Sequence, residues 1–408
     1  MSSAIGEQVD LLMQGSEFGD PEIKRTMTRE LKDRLVQAKA KARGLQVYCG
    51  YDATKPDLHL GHTITLRKLR QFQDLGHTVT FLIGDMTTRV GDPSDQNGLR
   101  PQLEEEQIRE NARTYAAQAF KILEPDRTRV RYNSEWLATL NLEQVLKIAS
   151  NFTVGQFLAR ENFRKRSSAG EPIWLHEFFY ALLQGYDAVA LHADVQLGAT
   201  EQLFNLLAGR KLQEAFGQVP QVCITFPVLV GTDGDKRMSK SAGNYIGIAE
   251  APEVIYGKVM SIPDRIMPEY FRLVTRWTPD RVAQLEADLA AGRIHPMDAK
   301  KELAWEIVDC YHGSEAADAA AEHFERVHQR RELPREMAEF VVGEPTAIPE
   351  LLKAAGMCDS TSAGRRLVLQ NGVRIDGELV ESVDHVVLPG ERVLQAGKRK
   401  FVRLVLPA

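Results

Sequence analysis

Apolar positions along the first half of the chain alternate between a strand-like and a helix-like period. Gln46-Val47-Tyr48-Cys49-Gly50-Tyr51 is a β-forming run ended by Asp52 and predicts a strand. From Thr63 to Leu75 the apolar residues Leu66, Leu69 and Phe72 recur at helical spacing and Gly76 closes the run, predicting a helix. Thr78 to Ile83 predicts a second, buried strand. Strand, loop, helix and strand form a βαβ unit, so the expected fold class is α/β, with a Rossmann-like doubly wound parallel sheet.

Glu104 to Leu123 predicts a long helix that opens an insertion running to about Arg166. Beyond it come a helix over Pro172 to Leu191, a strand over Val195 to Gly198, a helix over Thr200 to Phe216 and a strand over Gln221 to Phe226. The sheet domain is therefore expected over residues 1–230, with the insertion at about 104–166. A polar, glycine-flanked loop then leads into helical sequence, including Arg281 to Ala291, Pro296 to Cys310 and the Ala-rich stretch Ser314 to Phe340, giving a second domain over 231–341. Val342 to Pro349 carries proline and glycine and predicts a linker. The last segment, 342–408, has a different texture: two short helices (Leu351 to Ala355, Ser362 to Asn371), then short strands at Val373 to Gly377, Val386 to Gly390 and Lys400 to Leu406, an α+β unit.

Composition narrows the classes. With 408 residues and 43% hydrophobic content, two or three domains with substantial cores are expected. No apolar run approaches the roughly 20 residues of a membrane span, and Met1 to Asp20 has no apolar signal region. The four cysteines, Cys49, Cys223, Cys310 and Cys358, are scattered, which fits a reduced, cytoplasmic setting without disulfides or structural zinc. A net charge of −5 excludes a basic coat over the whole molecule, so nucleic-acid contact must come from local patches.

Two motifs carry candidate chemistry. His59-Leu60-Gly61-His62 stands at the mouth of the helix that follows the first strand. A helix start offers unpaired N–H groups and a positive dipole end for phosphate. Imidazole N–H donors add to it, and Gly61 removes a side chain where a nucleotide approaches. An ordinary helix start with two surface histidines explains the tetrapeptide alone equally well. Far downstream, Gly231 to Gly243 contains Lys236, Arg237 and Lys240 among glycines, a candidate lid over a polyphosphate or else a solvated charge run. No GxxxxGK[ST] sequence occurs, so a P-loop nucleotidase is not supported, and no third ligand stands near the histidines to make a metal site.

Polar residues also mark a candidate small-molecule pocket. Tyr180, Gln184 and Asp187 share one face of an otherwise apolar helix and need partners there, either a structural network or a ligand with a hydroxyl or ammonium. Asp52 and Asp92 follow predicted strands, at the edge where open α/β sheets bind ligands. Gln196, Gly198, Glu201 and Gln202 cluster at another strand-to-helix turn.

Taken together, Tyr48-Cys49-Gly50-Tyr51-Asp52-Ala53-Thr54 leading into His59-Leu60-Gly61-His62, then Gly91-Asp92-Pro93-Ser94, Tyr180-x-x-x-Gln184-x-x-Asp187, Gln196-Leu197-Gly198 and the lysine loop closely resemble the bacterial tyrosyl-tRNA synthetase family of class I aminoacyl-tRNA synthetases. The tail resembles the S-four-type RNA-binding domain, and the likeness covers nearly the whole chain. It implies activation of L-tyrosine by ATP, with Mg²⁺ carried on the ATP, and transfer to tRNA(Tyr) by a homodimer. The insertion would be the dimer interface and residues 231–341 would hold the lysine loop and an anticodon-binding helical domain. Residue by residue, it implies that Tyr48 and Asp187 bind the substrate phenol and that Asp92, Tyr180 and Gln184 bind its ammonium. Gln196 and Gln202 would orient the amino acid. Asp52 and Thr54 would line the adenylate and phosphate region, with Cys49, Gly50, Gly61 and Glu201 on the nucleotide side. His59, His62, Lys240 and Arg237 would act on the phosphates. Two segments depart from the family pattern: in the lysine loop Arg237 stands in place of Lys, and after Gly198 Ala199 and Glu201 stand in place of Gly and Asp. In the tail, Arg365, Arg366, Lys398, Arg399, Lys400 and Arg403 become candidate RNA contacts, the other reading being a solvated edge. The sister enzymes for tryptophan should lack the Tyr48/Asp187 pair. A non-catalytic RNA-binding relative, such as a splicing or regulatory cofactor, is the alternative from another class, and it would be expected to lose the phosphate-handling residues that this chain keeps.

Overall fold

The computed structural model describes residues 4–52, 58–93, 105–329, 337–397 and 400–405. It divides into two compact units, Met1–Ala321 and Glu322–Ala408.

The first unit opens with two helices, α1 (Ile5–Met13) and α2 (Pro21–Ala40), in a stretch where the sequence pattern gave no element. Asp20 caps α2 by accepting the Glu22 N–H, with Pro21 pre-set at the first helical position. Lys68 ties α1 down by donating its ammonium to the carbonyls of Leu11 and Gln14 at 2.8 and 3.3 Å. Next come β1 (Gln46–Tyr51), α3 (Leu60–Asp74), β2 (Thr78–Ile83), α4 (Asp85–Val90) and α5 (Glu105–Ala119). They are followed by β3 (Thr128–Tyr132), α6 (Ser134–Leu137), α7 (Leu142–Ala149), α8 (Val154–Leu158) and α9 (Glu161–Ser168). Then α10 (Leu175–Ala190), β4 (Val195–Ala199), α11 (Leu203–Ala215) and β5 (Val222–Phe226) complete the sheet region.

The five strands lie in the order β3-β2-β1-β4-β5, every pair parallel. This is the expected doubly wound sheet, and its order reverses between β1 and β4, the place where such folds open a ligand crevice. One reading needs correction. The segment 104–166 is no simple insertion, because it supplies the edge strand β3, in register from Val79↔Thr128 to Ile83↔Tyr132. Thr128-Arg129-Val130-Arg131-Tyr132 alternates with charged residues because an edge strand is only half covered, so it lacks the apolar run that marked its neighbours. Helices α10 and α11 pack closely where Gly185 and Gly209 remove side chains. A Cβ on Gly185 would lie 3.1 Å from the Gly209 nitrogen.

After the sheet, α12 (Pro252–Met260), α13 (Met267–Val274), α14 (Pro279–Ala290), α15 (Pro296–His312) and α16 (Ser314–Phe324) form the helical part. It is docked onto α3: the Tyr311 hydroxyl donates to Thr63 Oγ1 at 3.0 Å, and Arg67 reaches Cys310 Sγ at 3.2 Å.

The second unit contains β6 (Ala338–Val341), β7 (Thr346–Ala347), α17 (Ile348–Ala354), α18 (Thr361–Leu369), β8 (Val373–Ile375), β9 (Glu378–Leu379), β10 (Val386–Val387), β11 (Arg392–Ala396) and β12 (Lys400–Val405). A five-stranded sheet β6-β12-β11-β8-β9 carries the core, with Leu351, Leu352 and Val368 of the helices packed on Val402, Leu404 and Leu394. Two expectations fail here. Phe340 ends no helix but sits in β6, paired with Leu404, and the presumed linker Val342 to Pro349 is anchored in the core at both ends: Val342 and Ile348 are buried in the cluster, and Gly343 to Pro345 form an exposed turn between them. The Pro and Gly that suggested a linker mark instead a turn and the proline start of α17.

Candidate functional site

A cavity of about 290 Å³ opens at the carboxyl ends of β1 and β4. Its wall brings together Cys49, Gly50, Asp52, Gly61, His62, Asp92, Tyr180, Gln184, Asp187, Glu201 and Gln202, residues spread over more than 150 positions of chain. Tyr48 and Gln196 are not on that wall. Both are buried on the inner strands β1 and β4, directly paired in the register Tyr48↔Gln196. Thr54, Lys398 and Arg399 lie outside the described residues, as do Ala53 and Ser94 of the motifs.

At the start of α3 the two histidines cap one another. His59 Nδ1 accepts the Gly61 N–H at 3.1 Å, and His62 Nδ1 accepts the His59 N–H at 3.2 Å, a capping box made of imidazoles. With Nδ1 committed as acceptor, each neutral ring carries its proton on Nε2, as a donor for an anion. Gly61 is needed because a Cβ there would lie 3.0 Å from the His59 ring. Burial, with the nearby charge of Lys240, pushes His62 down to about 4, so it is neutral near pH 7. Lys240 belongs to the lysine loop and also stands 5.9 Å from the Tyr245 ring centroid, which in turn lies 6.5 Å from the His59 ring. The two distant motifs thus meet. Downstream of the loop, Ile246 accepts the Leu60 N–H at 3.0 Å and Ile248 donates its N–H to Leu58 at 3.2 Å, stitching the loop's exit to the histidine segment. Arg237 is exposed on the same loop.

The polar face of α10 enters a network. Tyr180 donates its hydroxyl to Asp52 Oδ2 at 2.9 Å, and Thr87 donates to Asp52 Oδ1 at 2.9 Å. Gly84 permits this, since a Cβ there would fall 2.3 Å from both Asp52 Oδ1 and Thr87 Oγ1. Asp92 follows α4 rather than a strand and accepts from the Gln202 amide, while Asn205 donates to Gln184 at 3.0 Å and to Gln202 at 2.8 Å.

Asp187 is 2% exposed and takes the Trp136 indole N–H at 2.8 Å and an Asn133 amide hydrogen at 3.4 Å. Burial holds its carboxyl well above the ordinary range, and the two donors work against that rise. Tyr48 packs against Leu82, Ala188 and Ala193, and its buried hydroxyl has no partner at bonding distance among the described residues. Burial, then the Asp187 charge, raises its ionisation well above the usual phenol value. Asn133, Trp136, Thr87 and Gly84 are among the site residues that sequence reasoning missed, as are Thr65, Leu82 and Tyr115 on the cavity wall. Asn133 and Trp136 follow β3, the strand that the pattern did not reveal. Among the described residues no group of three or more His, Cys, Asp or Glu could hold a metal ion, and no helix is long and apolar enough to cross a membrane.

In the second unit, Arg365 and Arg366 are exposed on α18, whose packed side meets the face of the sheet that carries Val402 and Leu404. Arg403 alternates with those two residues and so projects from the opposite face, paired across the strands with Val393 and Glu339. Lys400 donates its ammonium to the Met357 carbonyl at 2.9 Å. The described cations therefore do not form one patch.

A 3-2-1-4-5 parallel sheet, with a polar crevice at its switch point and a histidine-capped helix start that has Lys240 of the lysine loop close by, is the arrangement of a nucleotide-activating class I synthetase domain. The chain belongs to the tRNA synthetases class I (W and Y), whose family model matches residues 40–329, and an S4 domain model matches residues 348–393. It is an aminoacyl-tRNA synthetase, and ATP is a substrate of that class. The chain is 48% identical over 384 residues to the tyrosine–tRNA ligase of Thermotoga maritima, covering 94% of this chain and 96% of the relative. It is 47% identical over 406 residues to that of Moorella thermoacetica, covering 99% and 97%. In fold it resembles the crystal structure of a C-terminally truncated mitochondrial tyrosyl-tRNA synthetase of Aspergillus nidulans (TM-score 0.61, 20% identity, 79% of this chain and 93% of that one). It also resembles the Archaeoglobus fulgidus tyrosyl-tRNA synthetase solved with L-tyrosine (TM-score 0.59, 22% identity, 78% and 100%).

Proposed function

We infer that this chain is a tyrosine–tRNA ligase. The observation that carries the reading is that one cavity wall joins the phosphate-facing His62 to the amino-acid-facing Tyr180, Gln184 and Asp187. Tyrosine's carboxylate oxygen attacks the α-phosphorus of ATP, the bond to the β-phosphate oxygen breaks, and pyrophosphate leaves. The terminal ribose hydroxyl of tRNA(Tyr) then attacks the adenylate carbonyl and releases AMP. Mg²⁺ enters with ATP as part of that substrate.

The residues act by placement and by charge. Asp187, with Tyr48 behind it, receives the phenol: the orphaned Tyr48 hydroxyl and the donor-supported carboxylate both suit a hydroxyl that can donate and accept. Asp92, Tyr180 and Gln184 take the ammonium, Gln196 supports from the buried strand, and Gln202 aligns Asp92. Cys49, Gly50, Asp52 and Glu201 line the nucleotide side. Thr54 joins them on the family likeness. His59 and His62 donate Nε2–H to the phosphates, and Lys240 with Arg237 closes over the departing pyrophosphate.

A homodimer is part of this reading. Leu142, Leu146, Val154, Trp174 and Leu175, on α7, α8 and the start of α10, are 49–74% exposed, an apolar burden that a second copy would cover. For tRNA, the S4-type unit supplies Arg365 and Arg366 on α18 and, on the other face of the sheet, Arg403; Lys400 and, on the family likeness alone, Lys398 and Arg399 add to these, and the helical part of 231–341 meets the anticodon arm. Tyrosine-dependent exchange of pyrophosphate into ATP, without tRNA and with phenylalanine and tryptophan as controls, tests the reading. Exchange with tyrosine alone supports it. Exchange with another amino acid overturns the pocket, and none at all in folded protein favours the RNA-binding relative.

A further inference from the structure

A lid that closes over a phosphate brings its cations to one place only if the loop carrying them keeps one internal shape. Between Gly231 and Asn244 the chain loops out, and Asn244 is buried at 4% exposure at the loop's base. Its amide nitrogen donates to Asp233 Oδ2 at 2.8 Å and is shared between the carbonyls of Arg237 and Lys236 at 3.1 and 3.3 Å. Its amide oxygen accepts the Ser239 N–H at 2.8 Å, and its main-chain carbonyl accepts the Thr232 N–H at 2.9 Å. Asp233 in turn accepts the N–H groups of Asp235 and Lys236, each at 3.0 Å. One side chain thus binds the loop's incoming limb, both residues before its tip and the shoulder next to Lys240. Gly231 makes room for it, because a Cβ there would lie 2.2 Å from Asn244 Nδ2. The residues that follow, through Ile246 and Ile248, are the ones bonded to Leu58 and Leu60 beside the histidines.

We propose that Asn244, clamped to Asp233, is a positioning residue that sets Lys240 against His59 and His62 for the polyphosphate of ATP; this rests on the reading of Lys240 given above. The amide suits the place because one edge must donate to a carboxylate and two carbonyls while the other accepts an N–H. An aspartate would turn a charge and lone pairs toward three acceptors.

The test is steady-state pyrophosphate exchange with Asn244→Ala, Lys240→Ala and the double variant. Asn244→Ala should lower kcat about 10- to 100-fold, the scale of a misplaced catalytic group, with tyrosine's KM unchanged. In the Lys240→Ala background the same change should cost nothing further, because Asn244 acts through Lys240. Asp233→Asn, at an exposed position, is the second variant should Asn244→Ala not accumulate as folded protein. It should give a smaller fall in kcat that also vanishes without Lys240. Losses that multiply in the double variant, or a tyrosine KM that rises as kcat falls, would overturn the clamp while leaving the role of Lys240 intact. Unchanged exchange in Lys240→Ala alone would overturn the reading of Lys240 and the clamp with it.

Discussion

Replacing Trp136 with phenylalanine tests how the pocket recognises a phenol. The substitution keeps an aromatic ring in place and deletes one atom of consequence, the indole N–H that Asp187 accepts at 2.8 Å. The other donor to this carboxylate, Asn133, is at 3.4 Å and too long to compensate. A hydrogen bond to a charged, buried acceptor contributes about 1.5–3 kcal/mol, and Asp187 is 2% exposed, so water cannot replace the lost donor. Its carboxyl, already held up by burial, must rise further. If the ionised carboxylate accepts the substrate hydroxyl, kcat/KM for tyrosine should fall about 10- to 100-fold, the same energy expressed as a rate ratio. Phenylalanine has no hydroxyl to offer, so its slow activation should change little and discrimination should shrink by the same factor. The acid limb of the tyrosine pH profile should move to higher pH, because activity requires the ionised form and that form has been made costlier. Pyrophosphate exchange with both amino acids from pH 5.5 to 9 measures all three. Equal losses for tyrosine and phenylalanine, or an unmoved acid limb, would refute the role given to Asp187.

Other consequences are independent of that pocket. Lys240→Ala should lower adenylation about 100-fold or more, as for loss of a transition-state donor, while retention of tRNA on filters stays unchanged; equal loss of both would refute a phosphate role for the loop. His62 is held down to about 4 against an ordinary 6.5, so the unfolded chain takes up a proton first as pH falls. Its contribution to stability is complete above pH 6.5 and is lost on acidification toward pH 4. His62→Gln, whose side chain can accept the same His59 N–H at the third helical position, should therefore show a shallower fall in Tm over that window. Parallel melting curves for the two proteins would contradict this. Gly185→Val forces a side chain against the Gly209 nitrogen and Leu212, both 3.1 Å from the added Cβ. It should destabilise by about 1–3 kcal/mol, as overpacking does, seen as a lower chemical-denaturation midpoint.

The parallel sheet could be read from the chain because its inner strands, Val47 to Tyr51 and Val79 to Ile83, are covered on both faces and so appear as apolar runs of their own. The histidine motif was legible because a helix start and its phosphate chemistry are local matters, settled within four residues. The polar face of α10 was legible too, since helical periodicity alone puts Tyr180, Gln184 and Asp187 on one side. What the tertiary structure decided is everything that depends on distant chain segments meeting. Strand β3, half covered at an edge, has no distinctive pattern, and with it went Asn133 and Trp136, which become site residues only because parallel pairing to β2 brings them to Asp187. The separation of Arg403 from Arg365 and Arg366 follows from strand alternation in a sheet whose register no local rule fixes. Likewise Asn244 is one more polar residue in a polar loop until the loop closes and buries it. A sequence states which groups are available, whereas burial and hydrogen-bond partnership are properties of pairs, and pairs far apart in the chain exist only in the folded molecule.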